Sequence, residues 1–331
     1  MGYTIYGYGL SYFTRKIEAA FQWYGLEATL EPKTLLRKRR IEKNGGTHQV
    51  PVVRAPDGRW HTDTTPMIEM LDGLHPERRL FPAGETGVLV RLVEEWLDEW
   101  FPRVVIHYRW NDPENAAFAG AALGAQMLPF APGFVQRKLG AKVASWGKRA
   151  VRALALSEPH QRQAVEAELA RTLAAAAAQL EETPYLLGHR PTAADAAFMG
   201  ALRAHVGADP TTARILADFP VLTAWMKADP RWDAAGTLAP LDAPTPFARF
   251  VLSEASGAYQ TFLVANGRAL EAGQKAFEVT LNGAETSMLA RRYPETSRRA
   301  LRAAIARDLD PAQQAQVAAF LDDQELTEAF A

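Results

Sequence analysis

The 331-residue chain has no cysteine, which excludes disulfides, thiolate metal sites and a cysteine nucleophile together. Neither sign of charge dominates: 37 Lys plus Arg stand against 38 Asp plus Glu, a formal net charge of -1. That balance offers no general polyanion-binding surface, although it is compatible with a local patch, and nucleic acid is not expected as a partner. No window reaches about 18 uninterrupted apolar residues. The opening MGYTIYGYGLSYFTRK lacks a basic stretch followed by an apolar run and cleavage site. Secretion and a membrane partner are therefore not expected, and a cytoplasmic location is the simplest expectation. The seven histidines, at 48, 61, 75, 107, 160, 189 and 205, show no HExxH or similarly tight spacing, so no metal is implied. Gly7, Gly9 and Gly25 do not make GxGxxG, which leaves a dinucleotide site without support.

What is present is a globular composition, 48% apolar and 23% charged, in a length that suits two domains or two and an annex. Tyr3 to Tyr8 reads as a strand, and Ile17, Ala20, Phe21 and Tyr24 then share one helical face before Gly25 stops the pattern. A weak strand near Ala28 to Leu30 precedes the basic run Arg37 to Arg40. Gln49 to Arg54 reads as a strand, Asp57-Gly58 as a turn, the region of Trp60 as another strand and residues 65 to 73 as a helix. After the Pro-rich, charged HPERRLFPAG, apolar residues from Val88 to Trp100 recur at helical spacing, and the pattern stays helical to about 240. The last stretch begins helical, is interrupted by the turn-like FEVTLNG at 277 to 283, and closes with helices around 295 to 308 and 311 to 322. The chain is thus divided at 1–82, 83–246 and 247–331.

Two segments carry chemistry. Val50-Pro51 lies in an apolar run where a residue without an N–H cannot serve a ladder, so it marks either an edge strand or a cis proline that exposes backbone groups to a ligand. In DTTPMIEMLD, Asp63 and Thr64 stand at a helix entrance. Thr64 or Thr65 caps that helix, or its N-terminal amides hold a carboxylate.

Together these features resemble the glutathione S-transferase superfamily. The resemblance rests on GLSYFTRKIEAAFQWYGL, on QVPVV with DG and DTTPMIEMLD, and on YLLGHRPTAADAAF, where Thr192 and Asp195 match the family's helix-capping box. It covers residues 1 to about 240 and implies a thioredoxin-like α/β domain followed by an all-α domain, here with an extra helical extension. By resemblance, Ser11 lies where serine-type and cysteine-type members keep the residue facing the glutathione sulfur. Val50 and Pro51 match the clamp for the cysteinyl part, Asp63 and Thr64 the pair holding the γ-glutamyl end, and Gln49 is placed to reach the peptide. A hydroxyl beside the sulfur lowers a thiol pKa of about 8.5 and raises the thiolate fraction at neutral pH. Tyr12 replaces the proline that commonly follows Ser11, so Ser11, Tyr12 and Thr14 are rival activators.

For the second substrate, Trp100, Tyr108, Arg109 and Trp110 offer aromatic surface with one cation, suited to an apolar or aromatic electrophile, while Trp96 and Trp100 also read as plain core. Arg37 to Arg40 read as a solvated face or as a source of one partner for a glutathione carboxylate. The tail after 247 looks like the extension of a bacterial branch and reads as either a structural annex or a substrate lid. The expected activity is glutathione transfer to a small electrophile. Its rivals are a glutathione-dependent lyase, isomerase or ether-cleaving enzyme, and a non-catalytic glutathione binder. A homodimer is what the resemblance implies.

Overall fold

A short apolar strand, β1 (Tyr3–Gly7), organises the N-terminal region. It pairs in parallel with β2 (Ala28–Pro32) and antiparallel with β3 (Val52–Arg54), which pairs antiparallel with β4 (Trp60–Thr62), giving the order β2-β1-β3-β4. This computed structural model describes residues 2–228 and 236–331. The Val50–Pro51 bond is cis and lies just before β3, so the proline takes no place in the central ladder.

Helix α1 (Tyr12–Tyr24) buries Ile17, Ala20, Phe21 and Tyr24. Ser11 caps it, its Oγ accepting from the Thr14 N–H at 3.4 Å, and Gly25 ends it at φ 72°, a conformation glycine adopts without steric cost. Helix α2 (Leu35–Gly45) buries only Ile41, which packs with Tyr6 and Val52 beside Trp60. Helix α3 (Thr64–Leu74) turns Met67, Ile68 and Leu71 inward. Its N-cap is Asp63, so neither Thr64 nor Thr65 takes the capping position.

Beyond Leu80 the chain is helical: α4 (Gly84–Glu95), α5 (Pro102–Asn111), α6 (Pro113–Met127), α7 (Gly133–Ala153) and α8 (Pro159–Glu182). A π-turn at Trp96–Trp100, in which the Phe101 N–H reaches Trp96 O at 2.9 Å, separates α4 from α5. Then come α9 (Ala193–Ala201), α10 (Pro210–Leu216) and α11 (Pro220–Lys227), with Thr192 buried directly ahead of α9. The C-terminal stretch contains α12 (Pro246–Glu254) and α13 (Gln260–Glu271), then α14 (Arg292–Asp308), α15 (Pro311–Asp323) and α16 (Thr327–Phe330).

The extension is helical except in one place. What reads as a turn at 277 to 283 is half of a hairpin, β5 (Ala276–Leu281) and β6 (Ala284–Leu289). Its loop is Asn282-Gly283, both at positive φ, the pair that a tight twisted hairpin turn requires.

By compactness the chain forms two units. One comprises Met1–Leu80, Val105–Ala150 and Asp195–Ala234; the other comprises Phe81–Val104, Val151–Ala194 and Ala235–Ala331. In the second unit the extension is packed as core: Tyr259, Phe262 and Leu263 are fully buried, and Gln161 of α8 bonds Thr286 of β6 at 3.2 Å. Among the described residues, no helix is long and apolar enough to cross a membrane.

Candidate functional site

Strand register brings the site segments to one end of the sheet. Tyr6 pairs with Val52, Val52 with Thr62, and Gly7 with Pro32. From that row β1 runs out into the loop Tyr8–Ser11, β2 into Lys33 and β4 into Asp63, while β3 is entered from Val50-Pro51. Four separate stretches of sequence therefore meet at one edge.

The first loop is anchored along its length. The Ser11 N–H donates to Tyr8 O at 3.0 Å, Arg15 Nε to Gly9 O at 2.9 Å, and the Gly9 N–H to Gln126 Oε1 at 3.1 Å. An Arg109 terminal nitrogen donates to Leu10 O at 2.6 Å. Of the three rival hydroxyl residues, only Ser11 retains substantial exposure. Tyr12 is buried, its ring beside Phe13 and His205. Thr14 is fully buried beneath Gly7, where an added Cβ would lie 2.3 Å from Thr14 Oγ1, so β1 itself covers that hydroxyl. Ser11 Oγ accepts from the Thr14 amide, which leaves its own proton available to donate.

The segment before the cis proline is held by a residue that the sequence did not single out. Lys33 is buried, and its Nζ donates to His48 O at 2.6 Å and Gln49 O at 3.3 Å while pairing with Glu42 at 3.0 Å. Burial pushes the Lys33 pKa down, and Glu42 opposes that effect. Among the described residues, neither the N–H nor the C=O of Val50 makes a hydrogen bond, and Val50 is only half-buried. An unpaired donor and acceptor on one residue make an edge to which an extended peptide can pair. The Gln49 side chain is exposed beside it. Asp63, also exposed, sits at φ 69° and ψ 121°, a conformation that costs a non-glycine residue roughly 1–3 kcal/mol. Thr64 follows it, buried, at the start of α3.

The four residues expected on the substrate side are not alike. Trp100 belongs to the second unit, where its ring packs on Tyr259 and Phe262 at 5.3 and 5.4 Å under the Arg103 guanidinium at 3.9 Å. It is a core residue with no ring face left for solvent. Arg109 is 2% exposed, and its Nε lies 2.9 Å from Asp209 Oδ2. Another Arg109 nitrogen donates to the Ala204 carbonyl. Burial lowers the Arg109 pKa and raises that of Asp209, each opposed by the other's charge. The cation expected on the substrate side is thus paired internally and braces the first loop. Tyr108 and Trp110 keep partial exposure, with Trp110 packed against Gly147.

Residues 5–79 match the family profile described as the glutathione S-transferase N-terminal domain, and residues 159–228 match the glutathione S-transferase C-terminal domain. Both profiles describe glutathione S-transferase domains, and between them they match less than half of the chain. Similar solved structures include a glutathione S-transferase from Rhodospirillum rubrum F11, at 21% identity over 68% of this chain and 86% of that one, with a TM-score of 0.42. The β-etherase LigF from Sphingobium sp. strain SYK-6 is 19% identical over 68% of this chain and 93% of that one, with a TM-score of 0.48. A glutathione S-transferase from Sinorhizobium meliloti 1021 is 17% identical over 68% and 87%, with a TM-score of 0.43. Comparison with curated proteins finds no match. The braced loop, the cis proline and the strained Asp63 all fall inside the N-terminal match.

Proposed function

We propose that the chain binds glutathione at the shared end of the sheet and activates its thiol for attack on a small apolar or aromatic electrophile. The observation that carries this reading is Val50. Its N–H and C=O are unpaired beside a cis proline, at the strand end where Ser11, Asp63 and Thr64 also emerge.

The donor set fits the tripeptide. Val50 offers the paired backbone contacts that a peptide needs, Asp63 a carboxylate for an ammonium, and the start of α3 at Thr64 amides and a hydroxyl for a carboxylate. Gln49 is placed to reach the peptide from the residue before. Glutathione supplies the nucleophilic thiol. Ser11 donates to the developing thiolate from a fixed cap position, and a donor that needs no rearrangement stabilises charge at little reorganisation cost. Because the nucleophile arrives with the ligand, the absence of cysteine is no obstacle. Tyr108 and Trp110 are the aromatic surface we assign to the electrophile. In the same reading, residues 1–82 are the glutathione-binding domain, 83–246 the helical domain and 247–331 the extension.

The test is calorimetric titration of glutathione, with ultraviolet thiolate absorbance followed over about pH 5 to 9. Binding with a thiol pKa below about 8.5 that returns toward it in Ser11→Ala supports the reading, and an electrophile panel then separates conjugation from lyase, isomerase or ether-cleaving outcomes. Binding with an unshifted thiol marks a non-catalytic binder, and no binding in the millimolar range overturns the glutathione assignment. Sedimentation of the same samples reads the oligomeric state, for which a homodimer is proposed.

A further inference from the structure

Although the whole chain is nearly neutral, its charge is not evenly spread. Between Glu114 and Glu158 the sequence contains no Asp or Glu. Within that stretch α7 carries Arg137, Lys138, Lys142, Lys148 and Arg149, all exposed. Among the described residues, none of the five has an ion-pair partner.

At about 100° per residue, these five positions fall within about 140° of arc, on the side opposite Gly140, Val143 and Gly147. That opposite side is held tightly. A Cβ on Gly140 would come 2.3 Å from Gly120 O of α6, and one on Gly147 would come 2.1 Å from the Trp110 ring. The glycines let neighbouring helices seat closely, and the cationic face is left outward on a rigid support.

Aromatic residues lie at the end and margin of the same face. Phe130, in the loop between α6 and α7, is 94% exposed; Phe134, in the first turn of α7, is 57% exposed; and Trp146 is 38% exposed. The loop is tied at its base, where Gln136 Nε2 donates to Leu128 O at 2.9 Å. One phenyl ring at the loop tip and another on the first turn of α7, both exposed next to cations without ion-pair partners, match the chemistry of a membrane surface: apolar groups enter the acyl boundary while Lys and Arg meet anionic headgroups.

We infer that the outer face of α7, with the Phe130 loop, is a docking surface for an anionic lipid bilayer, on which the protein lies without spanning it. Charge complementarity decides between occupants. A second copy whose two-fold axis passes through this face would set cations against cations. A nucleic acid duplex would answer the cations through its phosphates and leave the isolated Phe130 tip without an apolar sink, and single-stranded RNA, whose bases stack on exposed rings, is the alternative that RNA binding in the test below detects.

The test is co-sedimentation of the full chain with vesicles of phosphatidylcholine alone or with about a third phosphatidylserine, at roughly 0.1 and 0.5 M salt, where the screening length falls from about 10 Å to below 5 Å. The expected result is binding to anionic vesicles only, lost at the higher salt. Lys142→Gln with Arg149→Gln should weaken partition about 30-fold, at about fivefold per cation. Phe130→Ser with Phe134→Ser should weaken it about tenfold or more. All four side chains are exposed, and unchanged thermal unfolding confirms that the variants are folded. Failure to pellet with anionic vesicles, equal binding to neutral ones, or unaltered partition of both double variants overturns the inference. So does a face whose variants abolish self-association or RNA binding and leave vesicle binding intact.

Discussion

Replacing Glu95 with Gln should change how stability depends on pH, by an amount that follows from its surroundings. Glu95 ends α4 in the second unit, 2% exposed, and accepts hydrogen bonds from Tyr259 Oη at 2.6 Å and from Ser297 Oγ. Burial drives its pKa up, the Ser297 and Tyr259 hydrogen bonds pull it down, and the neighbouring Glu94 and Asp98 push it up again, to about 8 from an ordinary 4.5. Desolvation outweighs two hydrogen bonds because a buried carboxylate loses far more hydration than two hydroxyls restore. With the folded pKa raised, the contribution is fully present below about pH 4.5, drains as pH rises and is exhausted above about 8. The gap is worth about 5 kcal/mol in total, and about 3 kcal/mol between pH 5.5 and 7.5. Glu95→Gln keeps the shape and is neutral throughout, so its unfolding free energy should gain about 3 kcal/mol on the parent over that range. Urea unfolding followed by tryptophan fluorescence at stepped pH measures the difference, and Trp96 and Trp100 lie on the adjoining turn. A difference that stays constant with pH would refute the reasoning, because it would mean that the buried carboxyl is already ionised in the folded protein.

Lys33→Met removes two hydrogen bonds to the segment before the cis proline, each worth about 1.5–3 kcal/mol when made by a charged donor. Glutathione affinity by calorimetry should fall tenfold or more, while the pKa of the bound thiol stays where the parent holds it, because Lys33 bonds the His48 and Gln49 carbonyls and, in the proposed mode, Ser11 acts on the sulfur. Asp209→Asn strands the buried Arg109 charge, so stability should drop by about 3–5 kcal/mol in thermal or urea unfolding. The same variant should weaken glutathione binding, since the Arg109 brace on Leu10 is disturbed.

The parts of the fold that were legible in the sequence are those whose cause is local. Gly25 had to end α1 because the chain continues there at positive φ, and Asp57-Gly58 had to turn between β3 and β4. Pro51 was conspicuous because it can neither donate to a ladder nor be ignored within an apolar run, although whether it marked a sheet edge or a cis bond depended on what lay around it. The hairpin at 276 to 289 was hidden because a single pair of short strands after a helix gives a weak period-two signal; Asn282-Gly283 was its strongest mark. Trp100 and Arg109 show the limit of residue type as a guide. An aromatic side chain suits a pocket or a core, and a cation enters a core only when a buried partner neutralises it; the partners that decide, Tyr259 and Asp209, lie far along the chain.

That distance also explains how the candidate site is built. Neither the Ser11 loop nor the segment ahead of Val50-Pro51 has a ladder of its own to fix it. The interactions that fix these backbones come from outside their own segments: Lys33 from the end of β2, Gln126 from α6, and Arg109 from α5 with its charge returned by Asp209 ahead of α10. The thiolate site proposed above needs this arrangement. If the Ser11 hydroxyl and the Val50 edge were free to relax, binding energy would be spent on ordering them, whereas donors fixed beforehand can act on the charge that forms at the sulfur. Variants at the braces should therefore reduce binding first and leave the thiol pKa of whatever binds unchanged, while Ser11→Ala should do the reverse. Opposite responses in the two measurements would separate the residues that hold the site from the one that acts in it; a common response would show that the loop and its hydroxyl are one unit.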